Sequence, residues 1–439
     1  MLAHYNTGMN GESPIRVGLI GAGKFGSMFL SQEPSMPELE VVSIADLNPD
    51  RAREACLRVG WDEVRISQLH FLDDGEVLSS EPDIDVVIEA TGDPVAAIRH
   101  GLAAFDAQHH LVNVTVEADA LLGPLLAKKA ADCGVIYSLA YGDQPALVCE
   151  LVDWAQTCGF QVVAAGKGTK YVPGDHNANP DTVWSHYGLS PNRAAAAGMN
   201  PRMFTSFVDG TKSAIEMAAV ANATGLSPAP EGLSFPPCPA TELAEILKPN
   251  QEGGCLHHKG QVEVISSKHP DGTEVKNNLR WGVYVVIEAP NDYSAACFEE
   301  YGLANEGGRY AAMYKPFHLI GLELGFSVVR AARDHMATGC PQSLQAGVTA
   351  VAKKDLAKGE MLDGEGGFAV WGKLQPAAES IQAGYLPIAL SNNVILKRAL
   401  RRGEVVRWED VVIDENIEAV RLRRQMEETQ LVGQVDALD

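Results

Sequence analysis

Residues 15–26 read Ile15-Arg16-Val17-Gly18-Leu19-Ile20-Gly21-Ala22-Gly23-Lys24-Phe25-Gly26. A short apolar run, the pattern of a buried strand, stops at glycine, and a helix is expected to open near Lys24. A strand that turns tightly into a helix offers free backbone amides and a positive dipole end at the turn, which suits a pyrophosphate. In this G-x-G-x-x-G pattern Gly21 permits the turn, Gly23 lets backbone approach phosphate, and Gly26 lets the helix lie close to the strand. Lys24 and Phe25 complete the expected cradle. A second strand, Leu39–Ala45, ends at Asp46, about 20 residues beyond the last glycine, where a carboxylate can bind the adenosine ribose hydroxyls of NAD. Arg51 and Arg53 could instead serve the 2′-phosphate of NADP, so both cofactors stay open. The strand around Asp85-Val86-Val87-Ile88-Glu89-Ala90 ends in Thr91-Gly92-Asp93-Pro94, and places Thr91 at the nicotinamide side.

The same alternation continues with a helix over 95–105, a strand over 110–114, a helix over 119–131 and a strand over 135–138. It predicts an α/β, Rossmann-type parallel sheet with helices on both faces. A chain of 439 residues exceeds what one core usually supports. Three domains are expected: a dinucleotide-binding domain over 1–145, a central α+β catalytic and dimerisation domain over 146–343, and a small β-rich domain over 344–439.

The central part holds the candidate chemistry. After a helix over 146–157 and a strand over 160–165, residues 166–190 read GKGTKYVPGDHNANPDTVWSHYGLS, a polar stretch whose length suggests function. Lys167 and Lys170 are candidates to neutralise a phosphate or carboxylate, or to protonate a carbonyl oxygen; ordinary exposed loop lysines are the alternative. His176 and His186 follow no recognised metal spacing. Asp209 is placed as the N-cap of a helix on which Lys212 and Glu216 lie four apart, on one face. That face carries either an active-site lysine with a carboxylate or an ordinary helix ion pair. A strand is expected over 281–288. Arg309, Lys315 and His318 precede an apolar helix over 319–330 and are candidates for anion recognition or for helix-end electrostatics. Two related units, Lys354 to Glu360 and Lys397 to Val406, each set a basic segment and a turn glycine before Glu, and residues 415–433 suit a terminal helix.

Hydrophobic residues at 46 % and charged residues at 21 % are ordinary for a globular chain. A formal charge of -22 argues against unspecific attraction to nucleic acid or an anionic membrane. The first residues do not form a signal peptide, and no apolar run is long enough to span a bilayer. Eight scattered cysteines without a CxxC pair suit a reduced, cytoplasmic setting.

Taken together, Gly21-Ala22-Gly23-Lys24-Phe25-Gly26 resembles the first domain of homoserine dehydrogenases, and Lys354 to Glu360 with Lys397 to Val406 resembles a SAF domain. With AAGKGTKYVPGDHNANPDTVW between them, nearly the whole chain resembles the 1-deoxy-D-xylulose 5-phosphate reductoisomerase-like enzymes of bacteria. The resemblance implies a homodimer that uses NADPH and a divalent cation, magnesium or manganese, on a phosphorylated small molecule to form 2-C-methyl-D-erythritol 4-phosphate. For that reaction the expected roles are Lys167, Lys170 and Arg309 for the phosphate, Lys212 for the carbonyl or enolate oxygen, and Asp209 or Glu216 near the metal, with Lys315 a further candidate for anion recognition; the ordinary enzyme's metal site does not transfer by position. No run of closely spaced acids like that of ordinary reductoisomerases is present. The alternatives are an oxidoreductase of another sugar acid, polyol derivative or homoserine-like substrate, and a dinucleotide-binding sensor without turnover.

Overall fold

The computed structural model describes residues 13–196, 199–303 and 306–436. The chain divides into two compact units, one ending at Leu147 but including His318–Gln342, the other made of Val148–Phe317 and Ser343–Asp439.

In the first unit six strands, β1 (Ile15–Ile20), β2 (Leu39–Ala45), β3 (His70–Leu72), β4 (Val86–Glu89), β5 (His110–Asn113) and β6 (Tyr137–Leu139), form one sheet ordered β3-β2-β1-β4-β5-β6. All five pairings are parallel. Parallel strands carry helices on both faces, which is why β1 and β4 are largely apolar, with only Arg16 and Glu89 breaking the runs. The order reverses between β1 and its neighbours β2 and β4, the place where ligands settle at the carboxyl ends of such sheets.

The stretch His318–Gln342, expected in the central domain, returns to this unit. The helix expected over 319–330 is Gly325–Asp334, and it buries Ser327, Val328 and Ala331. Leu324 and Val328 join Leu19, Ile44 and Ile88 in one core, and Leu139 donates its amide to the Gly339 carbonyl at 2.8 Å. An apolar helix face needs a partner, and this one finds it far back in the sequence.

In the second unit β7 (Gln161–Thr169), β8 (Gln261–Ser266), β9 (Val283–Glu288) and β10 (Tyr310–Lys315) form a mixed sheet ordered β10-β9-β7-β8. Strand β7 runs four residues beyond the expected 160–165, so Gly166 and Lys167 belong to a strand. Its glycines are demanded by neighbouring backbone: a Cβ at Gly166 would stand 1.8 Å from the Glu263 carbonyl oxygen, and one at Gly168 1.8 Å from that of Leu279. The Thr211–Thr224 helix packs on β7 and β8 with one side and on β11 (Ala346–Ala352) and β13 (Val370–Pro376) with the other. That double cover buries Ala214 to Asn222. Short strands β12 (Met361–Asp363), β14 (Asn392–Leu396) and β15 (Val411–Val412) complete the β-rich end, and a helix, Glu418–Asp436, follows.

Candidate active site

The glycine turn sits where β1 meets the Lys24–Gln32 helix. Gly21 has φ +97°, and a Cβ there would meet the Ala90 carbonyl oxygen at 2.5 Å; one at Gly26 would meet that of Gly21 at 2.3 Å. The protein itself therefore demands both. Gly23 is different: its φ is −69° and a Cβ there would meet nothing within 4 Å. No side chain caps the helix at Gly23, and its first turn carries no acid. An uncapped helix start over open space fits a phosphate group. Lys24 is exposed, whereas Phe25 packs partly into the core and so steadies the helix.

Asp46 is buried, and its carboxylate accepts the amides of Ala22 at 3.1 Å and Asn48 at 3.0 Å. Arg51 meets both of its oxygens at 2.8 Å while remaining 59 % exposed. The acid that sequence reasoning gave to a ribose thus already anchors the turn and holds an arginine at its rim. Thr91 donates its hydroxyl and amide to Glu89 at the end of β4. A cavity of about 250 Å³ lined by Arg16, Glu40, Arg65 and His70 lies at the amino ends of the strands, away from this turn.

In the second unit, Lys167 on β7 and Glu216 on the Thr211–Thr224 helix form a buried ion pair. Asp209 is fully buried and lies 2.8 Å from the Lys353 ammonium. Lys353 also donates to the carbonyls of Ala178 at 2.7 Å and Gly367 at 2.8 Å. Burial raises the Asp209 carboxyl above its ordinary range, and Lys353 only partly offsets that. His176 approaches the Asp209 carbonyl at 2.6 Å and stacks on Trp371 with ring centroids 3.9 Å apart. Burial lowers its pKa, favouring the neutral ring. His186 contacts Asp175 at 2.8 Å.

Glu263 on β8 is fully buried, and desolvation lifts its carboxyl to about 7 although Ser234, Phe235 and Val264 donate to it.

Residues 142–324 match the catalytic domain of oxidoreductase DRL. Residues 348–412 match the SAF domain. No curated protein matches the chain. Among solved structures, an oxidoreductase named yvaA from Bacillus subtilis is 21 % identical over 36 % of this chain and 45 % of its own, with a TM-score of 0.28. A homoserine dehydrogenase from Thiobacillus denitrificans is 20 % identical over 49 % and 50 %, at 0.35. A probable dehydrogenase from Thermotoga maritima is 16 % identical over 62 % and 72 %, at 0.35. The chain spans about half the length of the first two, and scores this low carry no functional argument.

Within the matched residues 142–324 the structure regroups the expected residues. Lys167 and Glu216 come together, so Glu216 serves Lys167 in place of the expected helix pair with Lys212. Lys212 is half-buried in the first turn of that helix. Gly210, not Asp209, is the helix N-cap, although Asp209 still accepts the Thr211 amide at 2.9 Å. Arg309 does not join the lysines. It pairs with Glu288 at 2.7 Å beside Lys259 and Glu252, next to the Gln161 end of β7, whereas Lys167 aligns with Val283 and Lys315 at the other end. Lys315 pairs with Glu150, and His318 lies in the first unit.

The expected divalent ion does not fit these residues. Asp209 and Glu216 each carry a lysine, and among the described residues no group of three or more His, Cys, Asp or Glu is disposed to hold a metal. Sequence reasoning missed Lys353, whose only signal was a basic residue directly after the wholly buried run of β11. No described helix is long and apolar enough to cross a membrane.

Proposed function

We propose that the protein is a nicotinamide-dependent reductase of a small phosphorylated carbonyl compound, and that its reaction turns 1-deoxy-D-xylulose 5-phosphate and NADPH into 2-C-methyl-D-erythritol 4-phosphate. The observation that carries the nucleotide part is Gly23: the turn's other two glycines are required by the fold, and this one makes sense for a phosphate that must come close. NADPH is preferred in this reading because Arg51 neutralises Asp46 and presents a cation at the rim. The reduced nicotinamide supplies a hydride to the carbonyl carbon.

The chain's own task is the oxygen. As the carbon–oxygen double bond becomes single, Lys167 donates one proton from its ammonium to the oxygen, leaving an alcohol and a neutral amine that regains a proton from solvent. Glu216 holds the ammonium in place. The carbon–carbon rearrangement that precedes reduction in this reading breaks one carbon–carbon bond of the substrate and forms another between different carbons. A homodimer and a cytoplasmic setting accompany it.

One observation favours a second reading, reduction of another sugar acid or polyol derivative without rearrangement: the acids expected to hold a divalent ion are committed to lysines. Oxidation of NADPH by the purified protein with 1-deoxy-D-xylulose 5-phosphate, with and without magnesium or manganese, separates the two when mass spectrometry identifies the product. Formation of the branched phosphate supports the first reading. NADPH binding without that product moves the second to the front, and failure to bind either dinucleotide overturns both.

A further inference from the structure

Three cations gather where the second unit's sheet ends. Lys170 follows the last residue of β7, Lys268 lies two residues beyond β8, and Arg280 lies three residues before β9. Strands β7 and β8 run parallel and end in register at Thr169 and Ser266, while β9 runs antiparallel from Val283 opposite Lys167. The three side chains therefore issue from one end of the sheet. Gly168 makes this possible by letting the Leu279–Arg280 backbone pass against β7. The Lys170 ammonium and the Arg280 guanidinium each lie 5.7 Å from the centre of the Tyr187 ring.

Their existing partners leave positive charge over. Lys170 donates to the neutral His186 carbonyl at 2.8 Å. Lys268 meets Glu274 at 2.6 Å, but that carboxylate is 64 % exposed and offers a weak hold. Arg280 is half-buried and stacks over Tyr187 and Trp281, and it shares the one exposed Glu274 carboxylate with Lys268 and Lys170. Asp175, the other acid nearby, is bonded to His186 and to the Val172 amide. Burial lowers the Lys170 pKa, with Arg280 and Lys268 adding to it against the opposing pull of Asp175 and Glu274. In a chain of charge -22, an uncompensated cationic group is not a solubility feature.

We propose that Lys170, Lys268 and Arg280 form a phosphate-binding site, with Arg280 supplying the forked contact. This deepens the reductase reading and rests on it for the identity of the ligand: the site takes the phosphate end of the substrate. Lys170 lies three residues beyond Lys167, just past the end of the strand that carries Lys167. Arg280 thereby takes the role that sequence reasoning gave to Arg309.

Titration calorimetry of the full chain with inorganic phosphate tests the site. Arg280→Ala leaves the glycine turn untouched, so phosphate bound there is common to both proteins and the difference reads this site. Arg280→Ala should weaken phosphate binding by about tenfold or more, with an unchanged thermal melt. Glu274→Gln, which frees Lys268, should tighten it, and Lys268→Ala should weaken it. Equal binding by wild type and Arg280→Ala overturns the proposal, as does Glu274→Gln binding no better than wild type should Arg280→Ala fail to fold. Altered phosphate binding without any NADPH turnover overturns the reductase reading and leaves the site. Turnover with an unchanged KM in Arg280→Ala does the reverse.

Discussion

Alanine at each glycine of the turn should separate folding from cofactor binding. At Gly21 the residue must hold φ +97° with its Cβ 2.5 Å from the Ala90 carbonyl oxygen. The backbone strain and the clash together cost about 2 kcal/mol or more, which lowers Tm by about 4–8 °C for a unit of this size. At Gly26 the Cβ would stand 2.3 Å from the Gly21 carbonyl oxygen, and prying helix from strand costs about 1–3 kcal/mol. At Gly23 the backbone is ordinary and a methyl meets nothing. Gly23→Ala should therefore leave Tm unchanged or raise it slightly, since it stiffens the unfolded chain by about 0.4–1 kcal/mol. The same methyl fills the space a pyrophosphate needs. Loss of about two charge-assisted amide bonds, at about 1.5 kcal/mol each, weakens NADPH by about a hundredfold. Thermal melts with and without NADPH, and a fluorescence titration of the cofactor, read both quantities. A Gly23→Ala protein that binds NADPH as tightly as wild type would refute the reasoning.

Lys353→Met leaves Asp209 buried without its cation and should cost about 3–5 kcal/mol by urea unfolding, with much of the loss recovered in the double variant with Asp209→Asn. Because burial raises the Asp209 carboxyl, this loss should be smaller at pH 5 than at pH 8, where the acid must be charged. Asp119 is lifted to about 7 by complete burial. A raised acid favours the fold below its unfolded value near 3.8, and that contribution is lost as pH rises through about 7. Wild-type stability should thus fall between pH 4 and pH 8 by a few kcal/mol at most, at about 1.4 kcal/mol per unit, and Asp119→Asn should flatten the slope. Arg51→Ala should raise the Kd for NADPH more than that for NADH, measured side by side; equal effects would remove Arg51 from the 2′-phosphate.

The first unit was legible because its signals are local. A six-residue apolar run, a glycine turn and a strand ending in aspartate determine one another within about 30 residues, as in any βαβ unit, and Leu39–Ala45 is the strand that the sequence pattern predicts. The second unit was less so. Gly166 and Gly168 read as loop residues because the carbonyls that demand them, Glu263 and Leu279, come from chain about a hundred residues away. Arg309 and Lys167 looked like partners until the register of β7, β9 and β10 set them at opposite ends. Lys353 gave only a charge beside an apolar run, and Asp209 only a cap, yet each is buried with the other as its charged partner. Pattern shows which residues can be inside, but not which distant charge will meet them.

The most direct test of a hydride-transferring reductase follows the hydrogen itself. The full chain, supplied with 1-deoxy-D-xylulose 5-phosphate and NADPH carrying deuterium at the transferable position, should yield a product heavier by one deuterium, with Lys167→Met losing most of the rate while still binding NADPH. Product without the label, or no product from a protein that binds both molecules, would contradict it.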